Sequence, residues 1–432
     1  EFLFIYQDVT SSAGKQYKNF RVGERIVPQK QAILVPFQID CFPGDKDLTF
    51  LFRYDSSRYP ESFVKTFTNA LALVIDRVTH DSNMTVREHI SGKHAEKLVK
   101  TDNICSFEKK INEPYVSAKD KIAIRFQDQQ FTYQYLEEIT GKMAAALITD
   151  FQVKKGEIIG IHYRRSTELV FSVLAVLRAG AAFTLIDVNL PDLRKKFIAK
   201  HAEFRLVISA EPYLDVPSAS AENIALTGHS SVVVDRDPHL LAYLAYTSGS
   251  TGAPKGVMIS SNALDSYVHS FNQYFELSSE DRVILQSAIG FDTLIEELFP
   301  AIANGACIVI AEAGGSDIKK LIELIEREQV TVISTTPLVV NELNEADSAR
   351  LGSLKKIISG GDVLKRSYVD QLIGSFAVYN TYGPTETTVC ATYQHINTLD
   401  DVPFIGSPIA NTNIYIVDDA MCPLPPYVPG QI

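Results

Sequence analysis

The chain has 432 residues, a net charge of −11 and no lysine–arginine run, which excludes a nucleic-acid surface built on basic clusters. Hydrophobic residues make up 46% and charged residues 22%, the balance of a globular chain long enough for a sizeable core and more than one domain. The five cysteines, Cys41, Cys105, Cys307, Cys390 and Cys422, form no C-x-x-C pair, which excludes a zinc ribbon or redox dithiol and fits reduced thiols in a cytoplasmic compartment.

Residues 1–100 differ from the rest. "AILVPFQID" and "DLTFLFRYD" read as strands, and "PESFVKTFTNALALVIDRV" as an amphipathic helix with Pro60 near its start. Residues 101–114 are charged and weakly patterned, which predicts a linker. From residue 115 the pattern alternates. "EIIGIHY" precedes the helix "STELVFSVLAVLRAG". The runs "RLVISA", "RVILQSA", "ACIVIAE", "VTVIST", "KKIISGG" and "FAVYNTYG" are further strands, many followed by helix. That alternation predicts an α/β fold of layers with largely parallel sheets, whose strand ends carry the ligand. The apolar stretch Leu169–Val188 contains Arg178 and a glycine, so it reads as helix plus strand rather than a membrane span. No signal peptide is recognisable.

"LLAYLAYTSGSTGAPKG" is an apolar strand leading into a polar loop. Gly249 and Gly252 let backbone N–H groups turn toward an anion, Thr247, Ser248, Ser250 and Thr251 add hydroxyls, and Lys255 supplies a point charge. Neither G-x-x-x-x-G-K-[ST] nor G-x-G-x-x-G is present. By composition alone, a flexible surface loop of serine and glycine explains the stretch equally well.

The order of residues resembles the signature of the adenylate-forming superfamily: acyl-CoA synthetases, luciferases and the adenylation domains of nonribosomal peptide synthetases. "FTYQYLEE" (131–138), "LRAGAAFTLID" (177–187), "NTYGPTE" (380–386) and "IGSPIANTNIYIVD" (405–418) resemble further motifs of the amino-acid-activating branch, in the right order. The resemblance covers residues 115–432 and implies the layered fold of that superfamily's large subdomain. It implies that the 247–255 loop wraps the β- and γ-phosphates of ATP, with Thr251 and Lys255 in the catalytic set. Tyr382 would lie on the adenine with Gly361 opposite, Asn380 and Gly383 would complete the adenine site, Thr385 would meet the α-phosphate, and Glu386 would hold Mg²⁺. The plainer alternatives are a core aromatic at Tyr382 and a dipole-favoured helix acid at Glu386.

"GFDTLIEELFPAI" (290–302) resembles the helix that opens the amino-acid pocket. The resemblance makes Asp292 the partner of an α-ammonium, against the plainer reading of a helix N-cap. It gives Thr293, Glu296, Ser334, Ile358, Gly360, Thr381, Val389 and Cys390 as the side-chain pocket. A carboxylate in a closed pocket is costly unless it meets a cation, so Glu296 implies a cationic substrate, L-lysine first and ornithine second. Thr293, Ser334 and Thr381 would supply hydroxyl acceptors around that charge. The alternative is that Glu296 points outward beside Glu297.

The same resemblance implies a phosphopantetheine-bearing carrier protein as downstream partner. It also makes residues 1–100 the end of an upstream condensation domain, without that domain's His-His-x-x-x-Asp-Gly motif. The small C-terminal subdomain, with the family's catalytic lysine, is expected beyond "YVPGQI", so the chain alone is expected to be poorly active. Two competing classes are an acyl- or aryl-acid CoA ligase and a non-catalytic binding module of the same fold. No nucleic-acid or membrane partner is expected.

Overall fold

The computed structural model describes residues 2–6, 37–43, 48–56, 59, 61–80, 107–228, 237–248, 254–424 and 430–432. The chain divides into two compact units, Glu1–Leu98 with Ile414–Ile432, and Val99–Asn413.

In the first unit β1 (Phe2–Tyr6) pairs parallel with β2 (Phe37–Pro43), and β2 pairs antiparallel with β3 (Leu48–Tyr54). Phe63 and Phe67 of α1 (Glu61–His80) meet the ring of Phe37 edge-on at 5.5 and 5.3 Å. These aromatic contacts are the core of this small sheet. The buried Asp40 carboxylate is paired with Arg53 at 2.9 Å.

The second unit opens with α2 (Phe107–Ser117), the hairpin β4 (Ile122–Phe126) and β5 (Gln129–Thr132), and α3 (Tyr133–Thr149). An alternating run follows: β6 (Ile158–His162), α4 (Thr167–Arg178), β7 (Ala182–Leu185), α5 (Asp192–Ala202), β8 (Leu206–Ser209), β9 (Ser218–Ala219) and α6 (Ala221–Thr227). The hairpin β10 (Leu241–Ser248) and β11 (Pro254–Ser260) runs into α7 (Ser261–Phe275). Then come β12 (Arg282–Leu285), α8 (Thr293–Ala303), β13 (Cys307–Ile310), α9 (Ile318–Glu328), β14 (Val332–Thr335), α10 (Pro337–Asn344) and β15 (Lys356–Ser359). The last strands are β16 (Ala377–Tyr382), β17 (Thr392–Ile396) and β18 (Ser407–Pro408).

These strands form two sheets. One has the order β11-β10-β7-β6-β8-β9, the other β18-β17-β16-β15-β14-β12-β13-β4-β5. Pairing is parallel except at the margins, where β4–β5, β10–β11, β16–β17 and β17–β18 run antiparallel. The α/β architecture expected from the alternating pattern is the one found. Helix α4 shows why the pattern works. Ser166 caps it by accepting from the Leu169 amide at 3.4 Å, and every residue except Glu168 is buried. Gly180, at φ +76°, then turns the chain toward β7. A helix apolar on all sides has to be buried, and this one lies within the main core.

From Phe107 onward the stretch expected as a linker is helical, while residues 101–106 lie outside the described residues. α2 buries Ile111 and Tyr115, four residues apart on one face, and Pro114 sits inside the helix. Two apolar anchors among charges give little periodicity to read. Among the described residues, no helix is long and apolar enough to cross a membrane.

Candidate active site

The polar loop is the tip of an antiparallel hairpin. Thr247 on β10 stands opposite Lys255 on β11, and Ser248 opposite Pro254. The proline opens the return strand, a position where its missing N–H costs least. Lys255 is exposed. Gly249, Ser250, Thr251 and Gly252 lie outside the described residues. Strand β11 packs beside the short 3₁₀ turn Thr385–Thr387, so the lysine strand and the "GPTE" segment are neighbours.

The "NTYGPTE" segment starts on β16. Asn380 is buried and donates from Nδ2 to the Phe404 carbonyl at 2.9 Å, which leaves its own amide oxygen to accept. Tyr382 is 37% exposed, enough for a planar ligand to reach its ring. Gly361, at φ +83°, has open space where a Cβ would stand. Gly383 is the reverse: a Cβ there would run into the backbone of Cys390 and Ala391. Glu386 is exposed, and among the described residues there is no group of three or more metal-ligating side chains. A lone carboxylate suits Mg²⁺, which is usually held by one or two carboxylates with substrate phosphates and water.

The Thr385 side chain lies close enough to Asp292 to favour its charged form, which brings the two motifs together. Asp292 occupies the N-cap position of α8 but makes no capping hydrogen bond. Its Oδ2 is buried and has no partner. Burial pushes its pKa up, the neighbouring Thr385 side chain opposes that, and the nearby Glu386 charge adds to it.

One turn further along α8, Glu296 is 3% exposed. It faces inward. Its Oε2 accepts from the Tyr267 hydroxyl of α7 and from the Cys390 thiol at 3.6 Å, and its Oε1 accepts from the Ser334 hydroxyl at β14. Burial raises its pKa, against the pull of those three donors. Ser334 therefore donates to the carboxylate, where the sequence suggests an acceptor for the substrate. Thr381 likewise donates to the Ser359 carbonyl at 3.2 Å.

The other positions converge on the same strand ends. Ser334 and Ile358 are register partners on β14 and β15, and Ile358 is fully buried. A Cβ at Gly360 would sit 2.5 Å from the Thr381 hydroxyl. Thr388 and Val389 both have left-handed backbones, at φ +67° and +66°. The Cys390 amide donates back across Val389 to the Thr388 carbonyl at 2.9 Å, closing a γ-turn. A β-branched residue is strained there, and the turn brings the Cys390 thiol to Glu296. Thr293 is half-buried at the first turn of α8.

A model of the AMP-binding enzyme family matches residues 115–432, the span that holds this whole constellation. The chain belongs to the AMP-binding enzyme family. It is 32% identical over 433 residues to bacitracin synthase 2 of Bacillus licheniformis, covering 92% of this chain and 16% of that one. It thus spans less than a fifth of the length of that curated relative. Among solved structures, a nonribosomal peptide synthetase, FmoA3, in its AMPPNP-bound form superposes with a TM-score of 0.79. Identity there is 20%, covering 91% of this chain and 45% of that one. The N-terminal subdomain of Klebsiella oxytoca NpsA, in complex with 3-hydroxyanthranilyl-AMSN, gives a TM-score of 0.66 at 22% identity, covering 74% of this chain and 84% of that one. Both have the fold of this AMP-binding enzyme.

Other residues around the AMP-binding enzyme's site were given no role by the motifs. Tyr267 is 2% exposed and reads in the sequence only as a core position of α7. Glu297 is fully buried. It accepts from the Gln286 amide and Nε2 at 3.1 and 3.2 Å, and from the Ser287 amide and hydroxyl at 3.1 and 2.7 Å. Gln286 Nε2 also reaches the Ser334 carbonyl at 2.7 Å, tying α8 to β12 and β14. The signal for Glu297 was present: two glutamates in the otherwise apolar helix "TLIEELFPAIA".

Proposed function

We propose that the site activates an amino acid. The substrate carboxylate attacks the α-phosphorus of ATP, the bond to the bridging oxygen of pyrophosphate breaks, and an aminoacyl-adenylate and pyrophosphate result. Such a transfer depends chiefly on positioning and charge stabilisation.

The observation that carries this reading is the buried, unpartnered Oδ2 of Asp292, on a carboxyl that lies beside Thr385 of the "GPTE" segment. A buried carboxylate oxygen without a donor is expensive, and a substrate α-ammonium would satisfy it. The neighbouring Thr385 then lies where the reacting carboxylate and α-phosphate would meet. Lys255 would neutralise phosphate charge and Glu386 would hold Mg²⁺, which when bound stabilises charge on the phosphates. An α-ammonium partner disfavours acyl- and aryl-acid substrates, which lack that group.

Glu296 supports a cationic side chain, L-lysine first and ornithine second. Four residues of helix set Asp292 and Glu296 about 6 Å apart along the axis, on one face. That separation suits a substrate with ammonium groups at both ends. Gly360 keeps the route between them free of a side chain, and Ile358, Val389 and Cys390 would border the methylenes. The aminoacyl group would pass to a phosphopantetheine thiol on a downstream carrier domain. The unit containing residues 1–98 would be the end of an upstream condensation domain, in a cytoplasmic synthetase.

The test is amino-acid-dependent exchange of labelled pyrophosphate into ATP. It is measured with each of the twenty amino acids, on a protein carrying this chain together with the family's small C-terminal subdomain. Exchange strongest with lysine is expected. Exchange strongest with leucine or glutamine would refute the side-chain assignment, and exchange with no amino acid would refute the activity.

A further inference from the structure

We propose that Tyr267 determines which cation the site accepts, by occupying the acceptor position on Glu296 that a guanidinium would need. The inference rests on the cationic-substrate reading above and narrows it to a primary ammonium.

A carboxylate offers about four acceptor positions, two on each oxygen. On Glu296, Oε2 is used twice, by the Tyr267 hydroxyl and the Cys390 thiol. Oε1 is used once, by the Ser334 hydroxyl. One position remains, on Oε1. The three donors come from three separate segments, α7, β14 and the γ-turn after the Thr385–Thr387 turn, so their arrangement does not depend on one mobile side chain. The residue is 3% exposed.

An ammonium is a compact point charge and needs one such position. A guanidinium pairs with a carboxylate as a planar fork, one N–H to each oxygen. Oε2 is already full, so the fork cannot close. An arginine side chain would leave an N–H buried without an acceptor, a cost that an ammonium with three rotatable donors avoids. The recognition is therefore set by a residue outside the pocket-lining motif positions, acting through Glu296.

Tyr267→Phe keeps the ring and its contact with Phe271, at 6.2 Å between centroids, and removes only the hydroxyl. It frees one position on Oε2. Calorimetric titration of the chain with L-lysine, L-arginine and L-leucine, before and after the substitution, is the test. The affinity ratio of lysine over arginine should fall about tenfold or more, the equivalent of one strong hydrogen bond regained by the guanidinium. Cys390→Ala frees the other position and should shift the ratio in the same direction by less, since a thiol is the weaker donor. A ratio within about twofold of wild type in Tyr267→Phe, with lysine still bound, overturns the inference. If Tyr267→Phe does not fold, Cys390→Ala decides: a shift toward arginine supports the inference and an unchanged ratio overturns it. A wild-type chain that prefers leucine to both cations overturns the cationic reading itself, a result visible before any substitution.

Discussion

Glu296 and Glu297 are adjacent on α8 and both are buried, yet they have no hydrogen-bond partner in common. Successive residues on a helix point about 100° apart. One carboxylate therefore faces α7, β14 and the turn at Val389, while the next is locked to the end of β12. Under the proposed function the first would meet the substrate, and the second holds the helix that carries it.

Glu297→Ala removes the acceptor for the Gln286 amide and Nε2 and for the Ser287 amide and hydroxyl. Leaving several buried donors unpaired should cost about 3 kcal/mol. Urea unfolding of the chain checks it, with Glu297→Gln expected to lose less because it keeps an acceptor oxygen. A loss near zero for the alanine variant would show that the network carries little stability.

The pH dependence of stability should carry the mark of the same residue. Burial pushes the folded-state pKa of Glu297 up to about 8, from 4.5 for the ordinary side chain, despite its donors. Between those values the folded state keeps a proton that the unfolded state has lost. The contribution is full below 4.5, declines as pH rises, and is gone above about 8. The unfolding free energy of wild type, minus that of Glu297→Gln, should fall across this window. A difference that rises or stays flat contradicts the assignment.

Glu296→Gln keeps the shape of the pocket and removes its charge. Lysine activation should weaken by about 2–5 kcal/mol, with glutamine and leucine gaining relative to it. Pyrophosphate exchange with lysine, ornithine, glutamine and leucine checks this. An untouched lysine preference would mean that Glu296 does not meet the substrate.

Gly360→Ala should crowd Thr381, whose hydroxyl would lie 2.5 Å from the new methyl. The threonine must rotate and break its bond to the Ser359 carbonyl, at a cost of about 1–3 kcal/mol. Adding Thr381→Ala should recover most of that loss. A double-mutant cycle by thermal unfolding would show the coupling, and simple additivity would deny the contact.

Lys255→Ala should separate the two ligands. Nucleotide affinity should drop by about 1.5–3 kcal/mol, the value of hydrogen bonds to a charged group. Amino-acid affinity should hold, because Lys255 lies on β11 and every side-chain position of the pocket lies elsewhere. Calorimetry with each ligand distinguishes the two, and a parallel loss of both affinities would argue for a folding defect.

Strands β6, β8 and β12 to β15 were legible because each is a short β-branched run, and α4 because most of its residues are apolar. Asp292 and Glu296 were singled out only by the resemblance of "GFDTLIEELFPAI" to a family motif, not by any periodicity. The return strand β11 was not legible: "PKGVMIS" begins with proline, contains glycine, and acquires its meaning only when Lys255 is paired with Thr247. Tyr267 was hidden for a different reason. It lies 29 residues from Glu296, and a tyrosine on a buried helix face looks the same whether its hydroxyl is used or not. The unpartnered oxygen of Asp292 and the γ-turn at Val389 are properties of packing, which periodicity does not encode.

The phosphate-loop hairpin and the proposed side-chain pocket stand on different sheets, although Asn380 and Tyr382 share β16 with Thr381. Thr247 and Lys255 belong to the six-stranded sheet, whereas Ser334, Ile358 and Thr381 stand on three adjacent strands of the nine-stranded one. Residues at the ends of β14, β15 and β16 can therefore be exchanged without altering the register of the hairpin that presents the lysine. Under the proposed function such a scaffold could keep one energy source while its cargo diversified. A lineage could retune which monomer it selects by point changes on one sheet, without rebuilding the rest.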